Sequence, residues 1–383
     1  MRTRLLAYGL LFGPALILAS CGGGTAPAKS SSAHESTTVP RAPPTIGSTT
    51  VPPTPSIPEA FSAESVTFVS TQMGWVLGKY SCAPTATLCA PVLLHTVNGG
   101  ASWTPVPAPK DLTVDQVRFG DPNNGWMWDA DGGPDGVWST HDGGLHWEQP
   151  TLPISLTDGY ISDLEAADGV VSATVNADPV EIISSPISHD QWTLSPTTIP
   201  IGAGPVPNEQ IILQGSTGWI LEMDRVVIGG ARLENGAWTS WTPPCSQAGG
   251  AVSLTAINTR QLIAYCDGGE WSGPAVTSLV TSSDGGSTFQ SKTLSFPNSV
   301  GGPIASPSTG VVFLGDGQND DLMATFNGGQ TWFPVYAGTS DQGWQFVGFT
   351  TPNQGVAIDG GTMIMTHDGG RDWSPATFPS QPQ

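Results

Sequence analysis

The sequence is poor in charge: only 11% of its 383 residues are Asp, Glu, Lys or Arg. Basic residues are the scarcest of these, 12 against 32 acidic, for a formal net charge of -20. A polyanionic phosphate backbone would be repelled, which argues against nucleic acid as a partner. Cysteine is rare, five in all, and neither a Cys-x-x-Cys spacing nor a histidine cluster offers a metal-ligand set, so no cofactor is expected. Gly-x-Ser-x-Gly and His-Glu-x-x-His are both missing, which removes two common hydrolase signatures. The apolar run from Leu5 to Leu18 is short for a transmembrane helix.

What the chain has in quantity is Gly (48), Pro (35) and Trp (14), the composition of many short strands joined by tight turns. An all-β fold follows. At the N-terminus, Arg2 and Arg4 precede the apolar run, and Leu18-Ala19-Ser20-Cys21 closes it, the layout of a secretory signal. Those four residues resemble the lipobox of bacterial lipoproteins, which implies that residues 1–20 are removed and that Cys21 carries a diacylglyceryl anchor. Residues 21–58 are rich in Gly, Ser, Thr and Pro and hold no apolar pattern, so they are expected to form a disordered tether. The folded part, 59–383, is then expected outside the cytoplasm on the bacterial cell membrane.

One string organises that part. Thr366-His367-Asp368-Gly369-Gly370-Arg371-Asp372-Trp373 has copies at Thr96 to Trp103, Thr140 to Trp147, Ser282 to Phe289 and Thr325 to Trp332. The Asp or Asn (Asn98, Asp142, Asp284, Asn327, Asp368) accepts turn N–H groups, the Gly pair supplies angles other residues resist, and the aromatic (Trp103, Trp147, Phe289, Trp332, Trp373) caps the hairpin. Worn copies lie at Ser188 to Trp192 and Glu234 to Trp238. A second signal, an apolar residue followed six positions on by Gly, precedes five of the seven turns, as in Phe68 to Gly74, Phe119 to Gly125 and Phe349 to Gly355; Leu254 to Arg260 keeps the spacing without the Gly, and Leu164 to Gly169 is one residue shorter. With Asp190 and Asn235 included, successive markers are 41 to 49 residues apart. A period in the forties with four strands per unit is that of a propeller blade, and seven four-stranded blades are expected, the first with strands near 66–70, 75–79, 92–96 and 102–106.

With Cys21 lipidated, Cys82, Cys89, Cys245 and Cys266 remain, an even number for an oxidising compartment. Three connectivities are open. The most economical joins Cys82 to Cys89 within one hairpin connection of blade 1, and Cys245 to Cys266 across blades 4 and 5.

The repeated turn resembles the Asp-box, or BNR, repeat of sialidases, sortilin-type receptors and related propellers. The combination of Phe119 to Gly125-Trp126 with Thr140 to Trp147 is most similar to the photosystem II assembly and stability factor group, which is also seven-bladed and often lipid-anchored in cyanobacteria. The resemblance implies a binding or assembly scaffold for a protein or a cell-surface glycan, monomeric, with its partner unspecified. Classical sialidase activity is disfavoured. Beyond the leader the arginines are Arg41, Arg118, Arg225, Arg232, Arg260 and Arg371, which lack the expected cluster, and no Arg-Ile-Pro precedes the first turn. A glycoside hydrolase or lyase using two funnel carboxylates is the alternative.

In such a blade, turns 1–2 and 3–4 share one face, and the 2–3 loops and inter-blade links share the other. Length varies most in the 2–3 loops, so the second face is where binding is expected. The candidates are Tyr80 in blade 1, Trp128 and Asp129 in blade 2, and Glu270 and Trp271 in blade 5. Asp129 to Asp135 has carboxylates at calcium-like spacing, but Thr140 stands where a bidentate Glu belongs, and a solvated hairpin tip is expected instead.

Overall fold

The computed structural model describes residues 61–80, 90–109, 113–130, 132, 136–157, 159–200, 208–223, 226–245, 252–266, 278–293, 302–315, 321–338 and 343–380. The expected leader (1–20) and tether (21–58), with Cys21, and Cys82, Cys89, Glu270 and Trp271 lie outside the described residues.

Seven antiparallel sheets follow one another along the chain, each built from consecutive strands: a seven-bladed β-propeller. The first strands, Phe61–Phe68, Gln116–Phe119, Tyr160–Ala167, Asn208–Gln214, Val252–Ala256, Ile304–Ser308 and Trp344–Phe349, neighbour one another in turn around the axis, and the ring closes where Phe61–Phe68 meets Gly355–Asp359 and Thr362–Thr366 of blade 7. Blade 1 adds Gly74–Tyr80, Val92–Thr96 and Thr104–Val106, close to the expected template. Six blades have four strands. Blade 2 departs from the expected four: after Gln116–Phe119, Gly125–Trp128 and Val137–Thr140, its outer strand shrinks to one bridge between Ser139 and Glu148. Pro150 and Pro153 follow at once, and a residue without an N–H cannot extend a ladder.

Apolar side chains collect between blades rather than within them. Each of the seven junctions has its own buried layer, for example Trp75, Leu77 and Leu93 of blade 1 against Val117, Phe119 and Met127 of blade 2. Both faces of a sheet are thus buried, so its central strands are apolar on both sides, as in the fully buried second strand of blade 2, Gly125–Trp128. The Phe-to-Gly signal has a local cause. Phe68, Phe119 and Phe349 sit directly across the strand pair from Gly74, Gly125 and Gly355. Each ring lies over its glycine so closely that a Cβ there would be 2.6, 2.6 and 2.7 Å from the ring. Any side chain would displace the aromatic.

The repeated turns are built alike. In blade 7, Asp368 Oδ1 accepts from Arg371 N at 3.0 Å, Asp372 N at 3.0 Å and Thr366 Oγ1 at 2.9 Å. Gly370 N donates to Thr366 Oγ1 at 2.9 Å, and Gly369 and Gly370 take φ of 77° and 82°. The first Gly of each complete turn also ties its hairpin to turn 1–2 of the same blade. Gly99 N to Gln72 O, Gly143 N to Asn123 O, Gly285 N to Arg260 O and Gly328 N to Gly310 O measure 2.8 Å, and Gly369 N to Asn353 O 2.9 Å. The two turn types therefore share a face. In blade 4 the worn copy is a tight hairpin turn with Asn235 and Gly236 at φ of 53° and 77°. In blade 3 the marker Asp190 instead reaches across to blade 2, accepting from Ser139 Oγ at 2.7 Å and lying 3.1 Å from His141 Nε2.

An inner strand has a free edge toward the axis, and its N–H and C=O groups need partners. Polar side chains from the preceding blade meet this need. Ser65 Oγ accepts from Val117 N at 3.1 Å, Asp163 Oδ2 from Ile211 N at 2.9 Å, and Ser253 Oγ from Ile304 N at 3.3 Å. The Gln210 amide both donates to Leu254 O and accepts from Leu254 N, each at 3.0 Å. At the seam between blades 7 and 1 the device changes. Ala63 N donates to Gly361 O at 2.8 Å, and the C-terminal residues fold over blade 1: Phe378 packs on Phe61, with ring centroids 4.6 Å apart, and Tyr80 Oη donates to Pro379 O at 2.8 Å. Cys245 and Cys266 are disulfide-bonded, joining blade 4 to blade 5.

Candidate binding site

The loop face holds a cavity of about 770 Å³ between blades 2 and 3. Its origin is the lost outer strand of blade 2. The chain leaving Glu148 is free to cross this face, and Gln149, Pro150, Leu152, Leu156 and Thr157 form one wall. The opposite wall comes from the 2–3 loop of blade 2, with Asp129, Gly132 and Gly136, and the floor from Tyr160, Ile161 and Asn176 of blade 3. Local bonds shape these segments. Ala130 N donates to Asp115 Oδ1 at 3.1 Å, pinning the 2–3 loop, and Thr157 N donates to Ser155 Oγ at 3.3 Å in the link. Gly132, at φ 85°, passes so near Tyr160 that a Cβ would be 2.9 Å from its ring. The result is a trough of mixed polar and apolar lining, and Asp129 is the one carboxylate among its described lining residues.

Beneath this floor lies a group of carboxyls on the inner strands. Asn176, which lines the cavity, donates from Nδ2 to Glu209 Oε1 at 2.9 Å. Glu209 is directly across the strand pair from Glu222, and both side chains are buried. Burial raises the Glu209 pKa, opposed by its hydrogen bonds. Asp163 is pushed up to about 6 by burial, against the pull of the N–H groups of Ile211 and Leu164 and of Arg118. Glu165 is pushed up to about 7, again by burial, although its Oε1 lies 2.9 Å from Arg118 Nη2. Each of these carboxyls has an internal partner and none of them lines the cavity.

The residues singled out from sequence are dispersed. Asp129 is half-buried in the cavity wall. Trp128 is 1% exposed and packs in the layer between blades 2 and 3, behind the site rather than in it. Tyr80 is buried in the seam between blades 7 and 1, where its hydroxyl binds the C-terminal segment. The Asp-box aromatics are turn caps: Trp103 and Trp373 are buried, and Trp373 Nε1 donates to Gly370 O at 3.1 Å. Tyr160, Asn176 and the 149–157 wall went unread from sequence. The available signal was the long 48-residue interval from Asp142 to Asp190 with Pro150 and Pro153 inside it.

Fold and turn geometry together define a seven-bladed β-propeller with Asp-box turns. No protein-family profile matches the chain, and no curated protein does. Among solved structures it is similar to YCF48 bound to a D1 peptide, at 19% identity and TM-score 0.56 over 81% of this chain and 94% of that one. It is similar also to YCF48 from Cyanidioschyzon merolae, at 14% identity and TM-score 0.57 over 81% and 97%. A third neighbour is a catalytically inactive virginiamycin B lyase from Staphylococcus aureus with quinupristin, at 12% identity and TM-score 0.54 over 80% and 95%. At such identities the likeness is one of fold.

Proposed function

We propose that this chain is a lipid-anchored, extracytoplasmic propeller that binds a segment of a protein partner in the cavity between blades 2 and 3. The observation that carries the reading is the cavity itself: about 770 Å³, walled by two loop segments on the variable face. Its apolar walls of Val137, Leu152 and Leu156 fit aliphatic side chains, and Asp129 at the rim fits a lysine or arginine. A protein with net charge -20 also draws basic segments toward it. That a propeller of similar fold, YCF48, has been solved with a peptide bound is in keeping with this use. The leader ending in Cys21 supports membrane anchoring, with residues 21–58 as the tether.

Peptide-display selection on the immobilised chain tests the reading. Enriched peptides should carry Lys or Arg beside aliphatic residues and should bind Asp129→Lys at least tenfold more weakly, by charge reversal at the rim. Selection of no peptide, or binding indifferent to Asp129, sinks it.

The alternative, a carbohydrate-active enzyme, draws on the carboxyls Asp163 and Glu165, whose raised pKa values of about 6 and 7 suit a general acid. Glycoside hydrolysis needs two carboxyls flanking one bond, however, and the cavity presents one among its described residues. Release of reducing ends from a polysaccharide panel, abolished by Glu165→Gln, would favour the enzyme.

A further inference from the structure

Asn-Gly is the dipeptide in which a side-chain carboxamide is most open to attack by the next main-chain nitrogen, because glycine puts no side chain in the way. The chain has four of them: Asn98-Gly99, Asn124-Gly125, Asn235-Gly236 and Asn327-Gly328. The reaction needs a free Asn carboxamide and a free Gly N–H. Three of the four pairs are tied down by the fold, and one is not.

In blade 1, Asn98 Oδ1 accepts from Ser102 N at 2.9 Å, its Nδ2 donates to Ser102 Oγ at 2.8 Å, and Gly99 N donates to Gln72 O at 2.8 Å. Blade 6 repeats the arrangement: Asn327 Oδ1 accepts from Thr331 N at 3.0 Å, its Nδ2 donates to Thr331 Oγ1 at 2.8 Å, and Gly328 N donates to Gly310 O at 2.8 Å. Asn124 is 8% exposed, with Oδ1 2.6 Å from His141 Nδ1 and Nδ2 donating to Asp121 Oδ2 at 2.7 Å. Asn235 differs on every count. The worn turn of blade 4 has Leu233 where the complete turns have Ser or Thr, and one Gly instead of two, so the bonds that enclose Asn98 and Asn327 cannot form. Asn235 is exposed at the tip of the hairpin between Val227–Glu234 and Ala237–Trp241. Among the described residues, neither its carboxamide nor Gly236 N has a hydrogen-bond partner, and a Cβ on Gly236 would meet nothing within 4 Å.

We propose that Asn235 is a site of spontaneous covalent modification, an intramolecular deamidation completed by water. Gly236 N bonds to Asn235 Cγ, the Cγ–Nδ2 bond breaks, and ammonia leaves with the former amide proton of Gly236. Water then opens the cyclic imide at one of its two carbonyls, giving aspartate or isoaspartate. The turn must first swing out of its left-handed angles, 53° at Asn235, and an exposed hairpin tip at the outer edge of a blade can open locally. Isoaspartate has a structural consequence, because it inserts a methylene into the main chain of a turn only two residues long. That turn sets the register that pairs Glu234 with Ala237 and Leu233 with Trp238. Trp238 is 6% exposed, packed with Ile182, Ile199 and Ile220 in the layer between blades 3 and 4, and its carbonyl accepts from Thr197 Oγ1 at 2.7 Å. Lengthening the turn displaces this ring and loosens the junction of the two blades. The site is independent of the loop-face cavity.

The test is to age the full chain in mildly alkaline buffer, with a second sample held unfolded in denaturant, and to map the peptides of both by mass spectrometry with fragmentation that separates aspartate from isoaspartate. In the folded chain Asn235 should be modified about tenfold or more ahead of Asn98, Asn124 and Asn327, each of which must first give up at least two hydrogen bonds. In the unfolded chain all four should react. Asn235→Gly accepts the same φ and has no carboxamide, so it should remove the early modification. Hydrogen exchange reads the consequence: the aged chain should lose amide protection around Trp238, whereas Asn235→Asp, the product without the extra methylene, should keep it. The proposal is overturned if any of the other three keeps pace with Asn235 in the folded chain, or if Asn235 stays intact there while the unfolded chain is modified at that position. Full protection around Trp238 in a chain carrying isoaspartate would overturn the consequence for the junction.

Discussion

Replacing Asp368 by alanine removes the carboxylate, whose Oδ1 accepts from Arg371 N, Asp372 N and Thr366 Oγ1. Arg371 and Asp372 are exposed, so water takes the place of the lost acceptor for their two N–H groups, while the buried Thr366 hydroxyl loses its partner. The cost is therefore that of a lost cap, roughly 0.5–2 kcal/mol, toward the upper end of that range for the hydroxyl. For a domain of this size that lowers Tm by the order of 1–4 °C. Asp368→Asn should cost less than about 0.5 kcal/mol, because the family of turns already contains it: Asn98 Oδ1 accepts from Ser102 N at 2.9 Å and Asn327 Oδ1 from Thr331 N at 3.0 Å. Acid separates the variants further. The Asp368 pKa is lowered, chiefly by the backbone N–H of Asp372. A lowered folded value means that the contribution of the charge is present above the unfolded pKa, near ~3.9, and is lost as pH falls through the folded one. Denaturant unfolding followed by tryptophan fluorescence should thus show Asp368→Ala weaker than the parent at neutral pH, with the gap narrowing in acid. Equal stability of alanine and parent at neutral pH, or asparagine as damaging as alanine, would refute the reasoning.

Two further outcomes follow from the packing. Phe378→Ala removes a half-buried ring from Phe61 and Trp103 at the seam and should cost about 2 kcal/mol, below the 3–5 of a fully buried Phe, with the seam amide Ala63 losing hydrogen-exchange protection before those of blade 4. The raised pKa values of Asp163 and Glu165 give the opposite sign to Asp368: the stability is present below the unfolded values and lost as pH rises through about 6 and 7, so Tm should drop between pH 5 and pH 8, and a flat or rising profile would contradict their burial.

Much of the fold was legible because its signals are local. Asp-Gly-Gly marks a turn whose hydrogen bonds close within a few residues, and Phe six before Gly marks a ring lying across one strand pair, so their regular spacing, worn copies included, counts the blades. The pairing of Cys245 with Cys266 was legible for a related reason, since adjacent blades leave few nearby partners. The site was less so. Trp128 and Tyr80 border the loops in sequence, and nothing local says that the next blade, or the C-terminal segment, covers them. The cavity itself arises from something missing, the outer strand of blade 2, and Pro150 and Pro153 hint at this only once the sheet is known. The inner-strand residues Ser65, Asp163, Gln210 and Ser253 read as ordinary strand polars, because the edge they serve belongs to a strand about fifty residues on.

The central claim is that the loop face between blades 2 and 3 engages a polypeptide. Site-specific photo-crosslinking on the full-length chain in its own cells tests it most directly, with the reactive group placed at Leu156 in the cavity wall and, as control, at Val97, which is 63% exposed on the Asp-box face. The account predicts a discrete protein adduct from position 156, absent from position 97 and suppressed by Asp129→Lys. Adducts from position 97 alone, or none from position 156 beside retention of the chain on a glycan column, would contradict it.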